Sequence, residues 1–325
     1  MWGDCPYHVM DVAEASEECE AVLDSISGAV IADREFLETV LLGVVSRGHV
    51  LLEDVPGTGK TLTANSFASA LGLSFSRVQF TPDLLPTDVT GTHIFNEEDG
   101  SFEFSKGPIF ANVVLADEIN RAPPKTQAAL LEAMGEGQVT VDGDTHELPD
   151  PFFVIATQNP VDQEGTFPLP EAQVDRFLVK SSIGYPDEAG EEELLHRRLG
   201  RVEQAPSVER AISEQSVTDL RQVPETVQVT DDVVSYLAEI ARRTRSLRQV
   251  SVGVSPRGTQ SLLEAARARA AMVGRDYVTP DDVAEIAEPV LAHRLVLTPE
   301  AKVDGVSTAA LVNDVLDAVA VPTVQ

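Results

Sequence analysis

Lysine is scarce in this chain. Five lysines stand beside 19 arginines, and together they face 53 acidic residues, for a formal net charge of −29. A surface so short of positive charge repels phosphate backbones, which argues against nucleic-acid binding. The one basic run, Arg242 to Arg248 ("RRTRSLR"), reads as a solvated helix end. Acid excess with little lysine resembles the proteins of salt-loving organisms, where ionic strength screens repulsion between carboxylates. Cysteine is nearly absent too. Cys5 and Cys19 lack metal-ligand spacing and the six scattered histidines form no H-x-x-x-H pair, so no structural zinc is expected. Long hydrophobic runs are missing: stretches such as Val113 to Ala116 are too short to cross a bilayer, and no integral membrane segment is expected. The opening residues, "MWGDCPYHVMDVAEASEECE", are acidic where an export signal would be basic, which points to a cytoplasmic protein.

With 325 residues, 43% of them hydrophobic, the chain can build a full core and two domains. Up to Ser46, apolar residues recur at helical spacing (Val40, Leu41, Val44, Val45), and Gly48 is a suitable stop. Short apolar runs follow ("HVLLED", "FSRVQF", "NVVLADE", "PFFVIATQNP", "RFLVKSSIGYP"), separated by helical stretches such as "TLTANSFASALG" and "TQAALLEAMGEG". Buried strands alternating with helices predict an α/β fold with a parallel sheet flanked by helices. Two polar hairpins interrupt it, turning at Asp99-Gly100 and at Asp142-Gly143. Beyond Pro186 the pattern is helical, with Thr, Ser or Asp at helix starts and Pro256 suited to a first turn. The expected division is an α/β domain over 1–186 and a smaller all-helical domain over 187–325.

The chemistry gathers around "DVPGTGKT", Asp54 to Thr61. A loop that cradles phosphates needs small residues so that N–H groups converge, a lysine for the β/γ oxygens and a hydroxyl for magnesium. Gly57, Gly59, Lys60 and Thr61 supply these between a strand and a helix, with Asp54 where the common pattern has its first glycine. An acidic pair, Asp117-Glu118, ends the strand "NVVLADE". There Asp117 can face the Mg²⁺ ion near Thr61 through water, and Glu118 can act as general base on the attacking water. Asn159, after "VIATQ", can bond a γ-phosphate or simply start an Asn-Pro turn. Arg176 and Arg257 have no evident helical partner, although a surface ion pair is the usual fate of arginine.

The blocks "LLEDVPGTGKT", "VQFTPDLLPTDVTGT", "GPIFANVVLADEINRAPPKTQAALLEAM", "QVTVDG", "FFVIATQNPVDQEGTFPLPEAQVDRFL" and "SPRG" resemble, in order, the MoxR family of AAA+ ATPases. The resemblance is dense from Val50 to Tyr185 and looser as far as Arg294. It implies an AAA+ P-loop core followed by a helical lid. It makes Pro56, Gly57, Thr58, Gly59, Lys60, Thr61 and Leu62 the Walker A contacts to ATP. Thr61 and Asp117 become the Mg²⁺ residues, Glu118 the Walker B base and Asn159 sensor 1. Arg176 matches the arginine finger acting on a neighbouring subunit's nucleotide, and Arg257 the sensor 2 arginine of the lid. The hairpins, over about 91–108 and 137–150, match the helix-2 insert and the pre-sensor-1 hairpin. Asp54 is the departure from the pattern.

By resemblance, the expected activity is ATP hydrolysis in a homo-oligomeric ring, a hexamer, acting as a chaperone. The implied client is a von Willebrand factor A domain protein or another complex. The rivals are a magnesium or cobalt chelatase motor subunit, distinguished by a metal-inserting partner, a DNA-remodelling ring, disfavoured by charge, and a non-catalytic nucleotide-dependent scaffold, against which Glu118 and Arg176 count.

Overall fold

The computed structural model describes residues 10–97, 100–160, 165–202 and 206–322. Cys5, the first nine residues of the acidic opening stretch and the Asp99 half of the first expected turn lie outside them.

Two helices come first. Helix α1 (Val12–Ser27) starts at Asp11, whose carboxylate accepts from the N–H groups of Ala13 and Glu14, both at 2.9 Å. Helix α2 (Arg34–Val45) buries Phe36, Leu37, Val40, Leu41, Val44 and Val45, the stripe that the spacing predicts. Its stop differs from expectation. Arg47, not Gly48, takes the left-handed turn, with φ of 53°. Gly48 answers to packing instead, since a Cβ there would lie 2.5 Å from the Cβ of Leu178.

The α/β region then runs β1 (Val50–Glu53), α3 (Lys60–Ala70), β2 (Phe75–Gln79), α4 (Pro86–Thr90), β3 (Gly91–Asn96), β4 (Ser101–Lys106) and β5 (Val113–Asp117). After these come α5 (Pro124–Glu136), β6 (Gln138–Val141), β7 (Asp144–Glu147), β8 (Phe153–Gln158), α6 (Glu171–Val174) and β9 (Val179–Ser181). Five strands form a sheet in the order β2-β5-β8-β1-β9, each neighbouring pair parallel. Strand alternation divides the core into two layers. Val50, Leu52, Val113, Leu115, Phe153 and Ile155 point to the side of α1, α2 and α3, and Leu51, Val114, Ala116, Val154 and Ala156 to that of α5. Each fully buried Leu, Val or Phe contributes about 1.5–3 kcal/mol, so a one-residue slip of a central strand would cost both layers at once.

Both hairpins stand outside this sheet as antiparallel pairs, β3 with β4 and β6 with β7. In the second turn Asp142 and Gly143 both have positive φ, 53° and 96°, as a tight Asp-Gly hairpin requires. The hairpins also touch. His93 Nδ1 lies 3.1 Å from Asp142 Oδ2, and the rings of Phe104 and His146 stack with centroids 3.8 Å apart.

Beyond β9 the chain is helical: α7 (Glu188–Leu199), α8 (Glu214–Leu220), α9 (Asp231–Thr244), α10 (Pro256–Met272), α11 (Pro280–Leu291), α12 (Pro299–Val303) and α13 (Thr308–Ala318). A short ribbon, β10 (Val250–Val252) with β11 (Val296–Leu297), is the exception. Thr230, Ser255 and Thr279 cap α9, α10 and α11, and Pro256 sits in the first turn of α10, where a missing N–H costs nothing. Buried residues of α9, α10 and α11 continue the apolar layer of α1 and α2, so these helices are packed firmly onto the α/β region. The basic run closes α9, with Arg242 ion-paired to Glu239 and Arg245 Nε donating to the Val254 carbonyl. No helix among the described residues is long and apolar enough to cross a membrane.

Candidate functional site

The carboxyl ends of β1, β5 and β8 carry the residues that the sequence singles out, and the strand order makes these three strands neighbours. In parallel α/β sheets, ligands bind beyond those ends. The loop between β1 and α3 turns through Gly57 and Gly59, both with φ of 92°, which L side chains avoid. Position 54 has no such need: Asp54 lacks a positive φ, so a side chain is accommodated. Its carboxylate has work of its own, accepting from the hydroxyl of Ser182 (2.8 Å) and from the backbone N–H groups of Ile183 (2.6 Å) and Gly184 (3.1 Å). Asp54 thereby ties the mouth of the loop to the segment leaving β9.

Lys60 is buried, and its ammonium donates to the carbonyl oxygens of Asp54 (2.8 Å) and Val55 (2.9 Å). Lys60, Thr61, Pro56, Leu62, Asp117 and Glu118 line one depression of about 570 Å³. Glu118 is the backbone outlier of the site, with φ of 56° and ψ of 49°. A non-glycine residue in this left-handed region costs on the order of 1–2 kcal/mol, and such strain concentrates at functional sites. The conformation is fixed by the Glu118 N–H donating to the hydroxyl of Thr157 (2.8 Å), which itself donates to Asp117 Oδ1 (2.7 Å). Asn159 is buried just past the end of β8, the strand between β5 and β1, and lines neither cavity beside the loop.

Several residues here escaped the sequence reading. Arg77 and Gln79, on one face of β2, reach the acidic pair: Arg77 pairs with Asp117 (2.6 Å), and the Gln79 amide donates to Glu118 Oε2 (2.8 Å). Arg121 places a cation beside Glu118, at 3.0 Å. The legible signal was polar residues two apart in "FSRVQF", a strand otherwise read as buried. A larger cavity, about 880 Å³, opens on the other side of Gly57, Thr58 and Gly59. Val30, Ile31, Leu62, Tyr185, Leu194 and Leu195 give it apolar walls, and Arg197 and Glu191 lie at its edge. Periodicity could not reveal it, because its walls come from the α1–α2 connection, the loop and α7.

The two arginines lie elsewhere. Arg176 is half-buried beyond α6, where its guanidinium donates to the Leu131 carbonyl of α5. Arg257 is exposed in the first turn of α10. Neither lines the two cavities around the loop. Both sit around Asp175 instead: Ser255, two residues before Arg257, donates to its Oδ2 (3.2 Å), and Arg294 pairs with its Oδ1 (2.8 Å). Arg294 also donates to the carbonyls of Phe177 (2.8 Å) and Leu178 (3.0 Å), which anchors the segment carrying Arg176 to the helical region.

Comparison with known proteins agrees with this architecture. The ATPase family associated with various cellular activities (AAA) matches residues 49–179, and the AAA lid domain matches residues 242–315. The chain is 47% identical over 300 residues to YeaC of Bacillus subtilis, covering 92% of this chain and 93% of that protein. It is 43% identical over 315 residues to Chaperone MoxR1 of Mycobacterium tuberculosis, covering 94% of this chain and 83% of that one. A crystal structure of a candidate ATPase from Cytophaga hutchinsonii superimposes with a TM-score of 0.89 at 40% identity, covering 96% of this chain and 97% of that chain. Fold and matches together define an AAA+ ATPase, an ATP-hydrolysing enzyme. Within that class the chain belongs to the MoxR family.

Proposed function

We propose that the loop from Asp54 to Thr61 binds ATP, that Glu118 drives its hydrolysis, and that a ring of subunits uses the turnover to remodel a client protein. One observation carries the reading: a strained glutamate closes the same depression as a buried lysine and a threonine hydroxyl at a glycine-rich loop. Backbone N–H groups of the loop from Pro56 to Leu62 would hold the phosphates, with Lys60 turning from the Asp54 and Val55 carbonyls to the β/γ oxygens. The cavity walled by Val30, Tyr185 and Leu194 has the size and apolar lining for the base and ribose.

Thr61 and Asp117 supply hard oxygen donors in one depression, a set that fits Mg²⁺, with Asp117 acting through water. Bound there, the ion would neutralise phosphate charge. Glu118 would take the proton of the attacking water once Gln79 and Arg121 release its carboxylate, and Asn159 would orient the water or the γ-phosphate. Arg176 and Arg257 lie apart from their own chain's loop, which suits action on a neighbouring subunit's nucleotide, Arg176 as the finger. The neighbour's γ-phosphate would then draw Arg176 from the Leu131 carbonyl.

A hexamer is the assembly we assign, with the α/β domain over 1–186 and the lid over 187–325. For the client we favour a von Willebrand factor A domain protein, following the family resemblance. The β3–β4 hairpin is the element we assign to client contact, since Ile94, Phe95 and Phe102 are more than half exposed on it. The direct test is phosphate release by the purified chain beside Glu118→Gln, which keeps shape and loses the base. Nucleotide binding should persist while turnover falls by ~10² or more. Parental turnover in the variant would make Glu118 a bystander.

A further inference from the structure

Arg77 has no part in the scheme above, yet it holds one of its central groups. Strand register places Gln79 opposite Asp117 and Arg77 opposite Leu115, at the edge of the sheet. From there the guanidinium reaches Asp117 twice, Nη2 at 2.6 Å and Nε at 3.1 Å, both on Oδ2. Oδ1 meanwhile accepts from the Thr157 hydroxyl at 2.7 Å. Gln79 Oε1 takes a further bond from Arg77 Nη2 at 2.8 Å, so the guanidinium bridges Asp117 and Gln79. The pair is asymmetric: the Asp117 side chain is 11% exposed and that of Arg77 is 47% exposed. The carboxylate is fixed in place and the cation has room to swing into solvent.

We infer that Arg77 is a positioning residue that competes with Mg²⁺ for Asp117 and so sets how much magnesium the site requires. This rests on the reading of Asp117 as the magnesium carboxylate. Two N–H groups from one edge of the Arg77 guanidinium converge on Oδ2, and Oδ1 is already bonded to Thr157. A divalent ion, or the water it carries, therefore meets Asp117 as a carboxylate already neutralised by a guanidinium. Solvent weakens the half-exposed Arg77, so a cation of twice the charge displaces it readily. Displacement also frees Arg77 Nη2 from Gln79, the residue whose amide holds Glu118. Metal binding at Asp117 is thus linked through two side chains to the carboxylate assigned as the base.

The test uses the full chain and reads binding rather than turnover. Mg²⁺ is titrated against the affinity for a fluorescent ADP, and Mn²⁺ occupancy is followed by electron paramagnetic resonance in the presence of ADP. Arg77→Gln should lower the half-saturating metal concentration about threefold, the effect of removing one half-exposed competing charge. Arg77→Lys keeps the charge but loses the two-nitrogen grip, and should fall between it and the parent. In an Asp117→Asn background, which should itself raise the metal requirement, Arg77→Gln should have no further effect. An unchanged or raised metal requirement in Arg77→Gln, with Asp117→Asn impaired, overturns the inference and leaves the magnesium reading standing. Parental metal dependence in Asp117→Asn removes that reading and the inference with it.

Discussion

Asp54 and Ser182 meet across the mouth of the glycine-rich loop between β1 and α3, carboxylate to hydroxyl at 2.8 Å. With the N–H groups of Ile183 and Gly184 on the same carboxylate, they couple the loop to the stretch that leads out of the sheet toward α7. Asp54→Gly would restore the common loop pattern, yet it would leave two backbone N–H groups without their partner. Each such loss costs on the order of 1–3 kcal/mol, and a drop in Tm of about 5 °C is expected in a thermal melt. An unchanged Tm would mean that the contact contributes nothing.

Lys60 is predicted to be a binding residue first. Its charge-assisted contact to phosphate is worth roughly 1.5–3 kcal/mol, so Lys60→Ala should weaken ATP binding on the order of 10-fold or more. Titration calorimetry reads this directly, and parental affinity would remove the loop from the site.

Acid should destabilise the fold through its buried imidazoles. The His49 Nδ1 accepts from the Val154 N–H and its Nε2 donates to the Met134 carbonyl, each at 3.1 Å, so the ring is held neutral. Burial lowers its pKa to about 4, and burial also pushes His293 well below 6.5. The unfolded chain therefore binds protons that the folded chain refuses. Stability is full above about pH 6.5 and falls as the pH drops, by roughly 3 kcal/mol for His49 alone once its pKa of about 4 is passed. Tm measured from pH 7.5 to 4.5 should show this slope, and His49→Gln should flatten it from a lower starting point. A flat parental profile would contradict the assignment.

Salt should act in the opposite sense. With a net charge of −29, repulsion among carboxylates opposes folding. Screening should raise Tm, with most of the gain beyond roughly 0.15 M, where the Debye length is about 8 Å. A Tm that stays flat from low to molar KCl would remove the halophilic reading of the composition.

The parallel sheet was legible because its strands are short apolar runs bounded by turn residues. The acidic pair was legible because strand ends face the ligand side of such sheets. Alternation also foretold the Asp142-Gly143 hairpin, whose backbone carries the two positive φ values that its residues permit. Less visible was anything built across elements. Arg77 drew no notice in the sequence, because its contact with Asp117 depends on the sheet order that sets β2 beside β5, and the apolar cavity needed three separate segments to close. The stop at Gly48 was misread because glycine there serves contact with Leu178, while Arg47 carries the turn. Asp54 looked like a blemish in a motif, and only the fold supplies its partners.

In the proposed scheme, ATP is hydrolysed between subunits, with Arg176 of one acting at the loop of the next. Turnover by mixed assemblies of Lys60→Ala and Arg176→Ala chains tests it most directly. Each variant alone should be inactive, since a finger acting in trans is worth ~10³ or more in rate. Co-assembled, they should regain a measurable fraction of parental turnover, because some interfaces combine an intact Lys60 with an intact Arg176. Assemblies shown by native mass spectrometry to contain both chains, yet giving no single-turnover hydrolysis, would contradict it.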